Sequence, residues 1–365
     1  MNINIHIYQS AMTHESRIFK TSKTVCEKFD KIILLGLGNN NCPKTENYFS
    51  NIKISRSPYL INKAVSFLVY YFWIIIKILK YKPKVLTIHS LELLPCSIVG
   101  KLISSKIIFD AHELETEKNG MGKMRKNFSR LVEAFFIKFC DKVVVVGYEI
   151  ANFYNDKYNI ESHVILNVPY LTNISEEKNE YFRKAFSIKK NELIFLYQGL
   201  LGEGRGLRNL MLAFSKINDK SKKIIFMGYG PLENEIIEYS NNHNNIYFKS
   251  AVSPDELISY TQSADFGISL IENTSLSYYY CLPNKIFEYA QAGIPIIVSE
   301  NIEMKNIVLN NNIGISIVNN VSSIISEIEK VSIEDKTNYS ENLFNFKNEF
   351  NWENQEQKIN KIYSF

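Results

Sequence analysis

Short runs of β-branched and aliphatic residues alternate with helical stretches along the whole chain, and this alternation restricts the fold more than any single motif. In the first half INIHIY, KIILLG, KVLTIHS, KIIFDAH, KVVVVG and HVILN read as strands. Helical stretches at 16–29, 62–80, 92–104, 124–140 and 148–157 separate them. In the second half LIFLYQG, KKIIFMG, NIYFKS, ADFGISL, IPIIVS and GISIV repeat the pattern. Such repeats give parallel sheets covered on both faces. A chain of 365 residues exceeds what one core supports. The expected architecture is therefore α/β, with two doubly wound, Rossmann-like domains in tandem. Their joint is placed in NVPYLTN, residues 167–173, where Pro169 and turn formers follow a strand. The carboxyl ends of both sheets are expected to face a shared cleft, the usual place for ligands in such folds.

Charge and cysteine usage narrow the function. Residues 1–170 hold 23 Lys+Arg and 14 Asp+Glu, or +9, against +4 for the whole chain, so the remainder carries −5. The basic half could meet nucleic acid, anionic lipid or a phosphorylated acceptor. No zinc-finger spacing or aromatic RNA-binding signature supports nucleic acid. Cys26, Cys42, Cys96, Cys140 and Cys281 follow neither metal-ligand nor disulfide spacing, and nothing at the N-terminus resembles a cleavable signal. A cytoplasmic protein is expected.

The most informative local stretch is LPNKIFEYAQAGIP, Leu282 to Pro295. Pro283 has a fixed φ and no donor to lose, so it suits a first helical turn. The unpaired N–H groups around it, with Leu282 and Asn284 on either side, point at whatever anion lies ahead. Lys285 and Glu288 share a helix face. The cation can reach phosphate oxygens while the carboxylate accepts from a ribose diol. Ala292 and Gly293 then end the helix before a buried strand. The competing reading is an ordinary αβ unit with a surface Lys–Glu pair.

Other motifs fall at predicted strand ends. YQGLLGEGRGL carries Gly199, Gly202, Gly204 and Gly206, with Arg205 just before the next helix. It reads as a phosphate cradle, though not a Walker loop, because the Lys-Ser/Thr ending is missing. FMGYGP, with Gly228 and Gly230, reads either as a ligand contact or as a tight βα turn. KIIFDAHE brings Asp110, His112 and Glu113 to a strand's carboxyl edge, a position that favours catalysis or substrate binding. QSAMTHESRIFK sets Glu15 and Arg17 at a helix start, lining the same cleft or capping the helix.

With these motifs (DAHE, GxLxxxRG, GxGP and NKxxEYxxAGxP) on two tandem sheet domains, the chain resembles the GT-B retaining glycosyltransferases of family 4, which build bacterial surface polysaccharides and glycolipids. The resemblance spans nearly the whole chain. Its tail, FNWENQEQKINKIY, is similar to the family's terminal helix, which crosses back to the first domain. That implies an acceptor domain at 1–168, a nucleotide-sugar domain at 169–348 and a crossing helix at 349–365. By resemblance Glu288 binds the donor's ribose, Arg205 and Lys285 its diphosphate, and His112 the transferred sugar. Gly199, Gly228, Gly230, Tyr280, Leu282 and Asn284 complete the donor side. Glu15, Arg17, Asp110, His112 and Glu113 form the acceptor side. A hexose or N-acetylhexosamine is expected to pass from a nucleotide sugar, UDP-linked, with retention and without metal or cofactor, into capsule, O-antigen or lipopolysaccharide. Two positions depart from the family: Leu200 stands where an arginine is common, and Tyr280 where a glutamate is common. Rival readings are a non-hydrolysing sugar-nucleotide epimerase and a non-catalytic glycosyltransferase-like subunit.

The acceptor is expected to be a glycan on a lipid. AVSFLVYYFWIIIKIL, residues 64–79, is strongly apolar but short for a bilayer span, and is expected to pack on the sheet. Lys77, Lys80, Lys82 and Lys84 follow it. Lys118, Lys123, Arg125, Lys126 and Arg130 form a second basic cluster, read here as the contact with anionic lipid of the inner leaflet.

Overall fold

Strand-forming runs come together as two separate sheets in the computed structural model, which describes residues 1–172 and 179–365. Asn173, the last residue of the expected joint, lies outside the described residues. The chain divides into two units, Met1–Asn167 with Gln355–Phe365, and Val168–Asn354.

In the first unit the strands are β1 (Ile3–Ile7), β2 (Lys31–Gly36), β3 (Thr45–Phe49), β4 (Ile52–Arg56), β5 (Val85–Ile88), β6 (Lys106–Ala111), β7 (Lys142–Val145) and β8 (Ser162–Val164). Helices α1 (Ser16–Thr24), α2 (Lys63–Tyr81), α3 (Cys96–Leu102), α4 (Lys123–Phe136) and α5 (Tyr148–Tyr158) connect them. The sheet order is β3-β4-β2-β1-β5-β6-β7-β8. It is not wholly parallel as expected: β3 joins β4 antiparallel at the edge, an addition absent from the sequence reading. Order reverses between β1 and β5, so the carboxyl ends of those strands open a crevice.

Helix α2 packs on the sheet as expected, but through one face only. Asn62 caps it, its Oδ1 accepting from the Ala64 and Val65 amides, and Lys82 ends it in the left-handed region at φ 43° before Pro83. One face, Ser66, Tyr70, Ile74 and Ile78, is buried, and the Tyr70 hydroxyl donates to the Leu35 carbonyl at 3.0 Å. The opposite face does not pack on the sheet. Val65, Leu68, Phe72, Ile76 and Leu79 are exposed.

In the second unit β9 (Leu193–Leu200), β10 (Lys222–Tyr229), β11 (Ile246–Ser250), β12 (Phe266–Ser269), β13 (Ile296–Ser299) and β14 (Gly314–Ile317) form an all-parallel sheet in the order β11-β10-β9-β12-β13-β14. This is the doubly wound order of dinucleotide-binding sheets, with its reversal between β9 and β12. Helices run α6 (Tyr181–Phe186), α7 (Leu207–Lys216), α8 (Glu233–Asn242), α9 (Leu257–Gln262), α10 (Leu276–Tyr279), α11 (Asn284–Gln291), α12 (Ile302–Asn310), α13 (Val321–Lys330), α14 (Ile333–Asn338) and α15 (Ser340–Glu349). The core is apolar on both faces of the sheet, with Phe195, Phe214, Phe226 and Ile268 fully buried. A last helix, α16 (Trp352–Ile362), carries the chain back into the first unit, where Glu356 accepts from Thr24 at 3.2 Å. There Tyr363 stacks on His6.

Candidate active site

At the β9–β12 reversal the second unit gathers two cations and one carboxylate. Pro283 is the cap of α11 and not its first helical residue, with ψ 142°. Asn284 begins the helix, exposed, and Lys285 turns inward. The Lys285 ammonium lies 3.7 Å from the Tyr197 ring centroid, a cation–π contact in a desolvated setting. Burial, then the nearby Arg205 charge, pulls Lys285 down to about 7, with Glu288 opposing. Arg205 stands over the Tyr278 ring at 5.6 Å. Tyr278 is held by Asn301, whose amide donates to its carbonyl at 2.8 Å. Among the described residues, no carboxylate lies within ion-pair distance of Arg205 or Lys285.

Glu288 is braced from beneath. The Gln198 Nε2 donates to it at 2.7 Å, and the Gln198 Oε1 accepts from Thr261 at 2.7 Å. Gln198 is buried at the end of β9, one residue before the glycine loop. The sequence reading missed it, although a lone amide in the apolar strand LIFLYQ was the available signal. Gly199 follows at φ +111°, and a Cβ there would stand 3.9 Å from the Lys285 ammonium. Gly228 and Gly230 have another explanation: added Cβ atoms would lie 1.8 Å from the Gly199 carbonyl oxygen and 2.4 Å from that of Leu201. They let two backbones pass, which fits the tight-turn reading of FMGYGP. Tyr280 ends α10 and Leu282 follows, both half-buried. Leu200 is exposed, and its carbonyl accepts from Tyr197 at 2.8 Å. A cavity lined by Phe266, Ile296 and Gly314 opens at the other, amino-terminal edge of this sheet and is separate from these groups.

In the first unit, Asp110 at the end of β6 accepts from Arg17 through both carboxylate oxygens, at 2.7 to 3.1 Å. Arg17 also donates to the Ile165 carbonyl at 2.7 Å. Both side chains are buried. Burial alone would raise the Asp110 carboxyl, but the Arg17 charge and the two histidines beside it, His112 and His89, outweigh it and hold it well below the usual range. Arg17 and Asp110, expected on the acceptor side, satisfy each other. Glu15 accepts from the His14 amide at 2.9 Å, and Glu113 pairs with Lys118 at 3.3 Å.

Two histidines unnoticed in the sequence connect to this pair. His6 Nδ1 lies 2.9 Å from His89 Nε2, and His89 Nδ1 lies 3.1 Å from His112 Nε2 and 3.2 Å from Asp110 Oδ2. Burial lowers both His6 and His89, the latter to about 4, so both are neutral at pH 7. Their tautomers follow from the network. Thr87 donates to Asn4 Oδ1, which leaves the Asn4 NH2 to donate to His6 Nε2 at 2.9 Å. His6 then carries its proton on Nδ1 and donates to His89. His89 in turn carries its proton on Nδ1, facing Asp110 and His112. His112 is partly exposed, and its Nδ1 has no hydrogen-bond partner among the described residues. His89, Asp110 and His112 are close enough to hold a metal ion. Arg17 already donates to both Asp110 oxygens of this group.

In the second basic cluster most of the cations have acidic partners. Lys118 pairs with Glu115 at 3.0 Å, Arg125 with Glu92 at 3.5 Å, and Arg130 with Glu117 at 2.6 Å. Lys126 pairs with Glu117 as well.

Comparison with known proteins agrees with this architecture. The profile described as "Glucosyltransferase 3-like, C-terminal domain" matches residues 211–352. No match is found among curated proteins. Among solved structures the chain is similar to sucrose-phosphate synthase from Thermosynechococcus elongatus, with a TM-score of 0.77 at 14% identity over 100% of this chain and 98% of that one. It is similar to Anabaena Alr3699/HepE in complex with UDP and glucose, with a TM-score of 0.76 at 10% identity over the full length of both. It is also similar to WaaG, a glycosyltransferase involved in lipopolysaccharide biosynthesis, with a TM-score of 0.69 at 12% identity over both full lengths. The fold is GT-B.

Proposed function

We propose that this protein is a cytoplasmic glycosyltransferase that takes a hexose or N-acetylhexosamine from a UDP-linked donor and passes it, with retention, to a lipid-linked glycan of a bacterial surface polysaccharide. The observation that supports this most is the pair of cations, Arg205 and Lys285, beside Gly199 at the start of α11, with a carboxylate one turn deeper. Two cations without a pairing carboxylate suit a diphosphate, and the free N–H groups of a helix start add to them. Glu288, oriented by Gln198, is the carboxylate placed to accept from a ribose diol. The solved structures that share the fold include one with UDP and glucose bound and one acting in lipopolysaccharide biosynthesis, which favours a nucleotide sugar and this setting.

In the reaction the bond from the sugar's anomeric carbon to the diphosphate breaks, and the bond to the acceptor oxygen forms on the same face. The acceptor's proton leaves with the phosphate. Negative charge grows on the leaving group, so Arg205, Lys285 and the α11 amides bind the transition state more tightly than the ground state. His112, with one ring nitrogen set by its neighbours, offers the other to a sugar hydroxyl.

A thermal-shift panel of UDP, GDP, CMP and ADP tests this reading. Ligand at a hundredfold its dissociation constant adds about 2.7 kcal/mol, so UDP should raise the midpoint clearly. Glu288→Ala should remove most of that rise. No response to any nucleotide would sink the enzyme reading and favour a non-catalytic subunit. Release of UDP from the sugar nucleotide without an acceptor would favour the epimerase.

A further inference from the structure

The exposed face of α2 is unusual for a crossover helix. Val65, Leu68, Phe72, Ile76 and Leu79 are 46% to 64% exposed, and helical spacing sets them diametrically opposite the buried Ser66, Tyr70, Ile74 and Ile78. The 19-residue helix is long and apolar enough to cross a bilayer, yet only 22% of it is buried. Crossing is excluded by its inner face, because Tyr70, Ile74 and Ile78 sit fully inside the unit and Tyr70 bonds to the sheet. The face can only lie flat against something.

The flanking charge says what. Between Ser57 and Leu91 the chain has five lysines, Lys63, Lys77, Lys80, Lys82 and Lys84, and no acidic residue. Four of them gather at the carboxyl end of α2, and Lys77 and Lys80 lie over the Trp73 and Tyr81 rings. Helix α4 provides the internal contrast. It too exposes an apolar stripe, Met124, Phe128, Leu131 and Phe135, but Lys118, Arg125, Lys126 and Arg130 around it are paired with Glu92, Glu115 and Glu117. Of these two stripes, the one on α2 has the larger group of lysines without an ion pair among the described residues.

We infer that α2 is a membrane-docking helix: its apolar stripe enters the interface of a bilayer, and Lys77, Lys80, Lys82 and Lys84 meet anionic headgroups. This goes beyond the transferase reading and needs no turnover to be tested.

The purified full chain is sedimented with vesicles of phosphatidylcholine alone and with vesicles that also contain phosphatidylglycerol. Binding should favour the anionic vesicles and weaken with salt. Phe72→Glu with Ile76→Glu should lower binding by on the order of tenfold or more. Lys80→Glu should lower it on anionic vesicles only, by at least about fivefold. Both variants change exposed residues, and an unaltered thermal midpoint and UDP response would show that the fold and the donor site are intact. Three results would overturn the inference. The first is no sedimentation with either vesicle. The second is loss on Leu131→Glu in α4 but not on the α2 variants. The third is a dimer in light scattering that Phe72→Glu splits while vesicle binding persists.

Discussion

The two reversal points of the two sheets both bury charged side chains, but they balance them in opposite ways. In the first unit Arg17 and Asp110 neutralise each other, and His6 and His89 stand neutral beside them with their protons assigned. In the second, Lys285 lies near Gly199 with Arg205 close by, and the Glu288 carboxylate beside it is held by an amide. The first centre is complete. The second carries an excess of positive charge in a partly desolvated place, which an anion would relieve. Buried charge at a strand end is therefore a weak sign of a binding site until its partners are counted.

Breaking the closed centre should cost the most. Asp110→Ala leaves the buried Arg17 without a counter-charge, and such removals cost about 3–5 kcal/mol. Urea unfolding should show that loss, and the paired change Arg17→Met with Asp110→Leu should recover much of it. A native-like midpoint for Asp110→Ala would mean that Arg17 finds water instead. By contrast, Lys285→Met removes an unpaired buried cation and should leave apo stability unchanged or raised.

Lys285→Met should instead weaken UDP binding, on the order of 10- to 100-fold for one charge-assisted contact. The pH dependence sharpens the contrast. Lys285 titrates at about 7 in the fold against an ordinary value of 10.5. Between those values the unfolded chain holds the proton that the folded chain has released, so apo stability should rise with pH across that window. Nucleotide binding runs the other way. A diphosphate favours charged Lys285, so affinity should be full below pH 7 and fall as pH rises through it. Calorimetry from pH 6 to 9 checks both slopes, and Lys285→Met should flatten both. A UDP affinity that does not change with pH in the native protein would remove Lys285 from the diphosphate.

Sequence patterns carried the second unit further than the first. Its central strands are nearly continuous apolar runs, and the periodicity of IFLYQG, IIFMG and IPIIVS leaves little choice. The hairpin β3–β4 escaped because TENYF is a polar, exposed edge strand with no inward face to mark it. The α2 run misled for the opposite reason. Residues 64–79 are apolar around nearly the whole helix, so no polar face distinguishes the buried side from the open one. His6 and His89 were overlooked as site residues because a histidine inside a strand reads as core. Only the sheet order, which puts β1 between β2 and β5 and β6 beyond, brings them to Asp110. The acids that neutralise the Lys118 to Arg130 cluster were visible in the sequence at Glu113, Glu115 and Glu117, but their pairing depends on the turn that precedes α4.

The smallest expected effect tests whether the open centre has its own bracing. Gln198 does for Glu288 what His89 does for Asp110: it supplies a neutral, buried hydrogen bond that fixes the direction of a carboxylate. Gln198→Leu keeps the shape of the strand end and deletes that donor, while Thr261 retains its bond to the Leu257 carbonyl. One lost hydrogen bond of this kind is worth about 1 kcal/mol, or roughly a fivefold loss in affinity. The loss should fall on UDP and not on inorganic pyrophosphate, because Glu288 meets the ribose and the diphosphate meets Arg205 and Lys285. Equal weakening of both ligands would mean that Gln198 supports the cradle as a whole, and the division of labour between Glu288 and the two cations would fail.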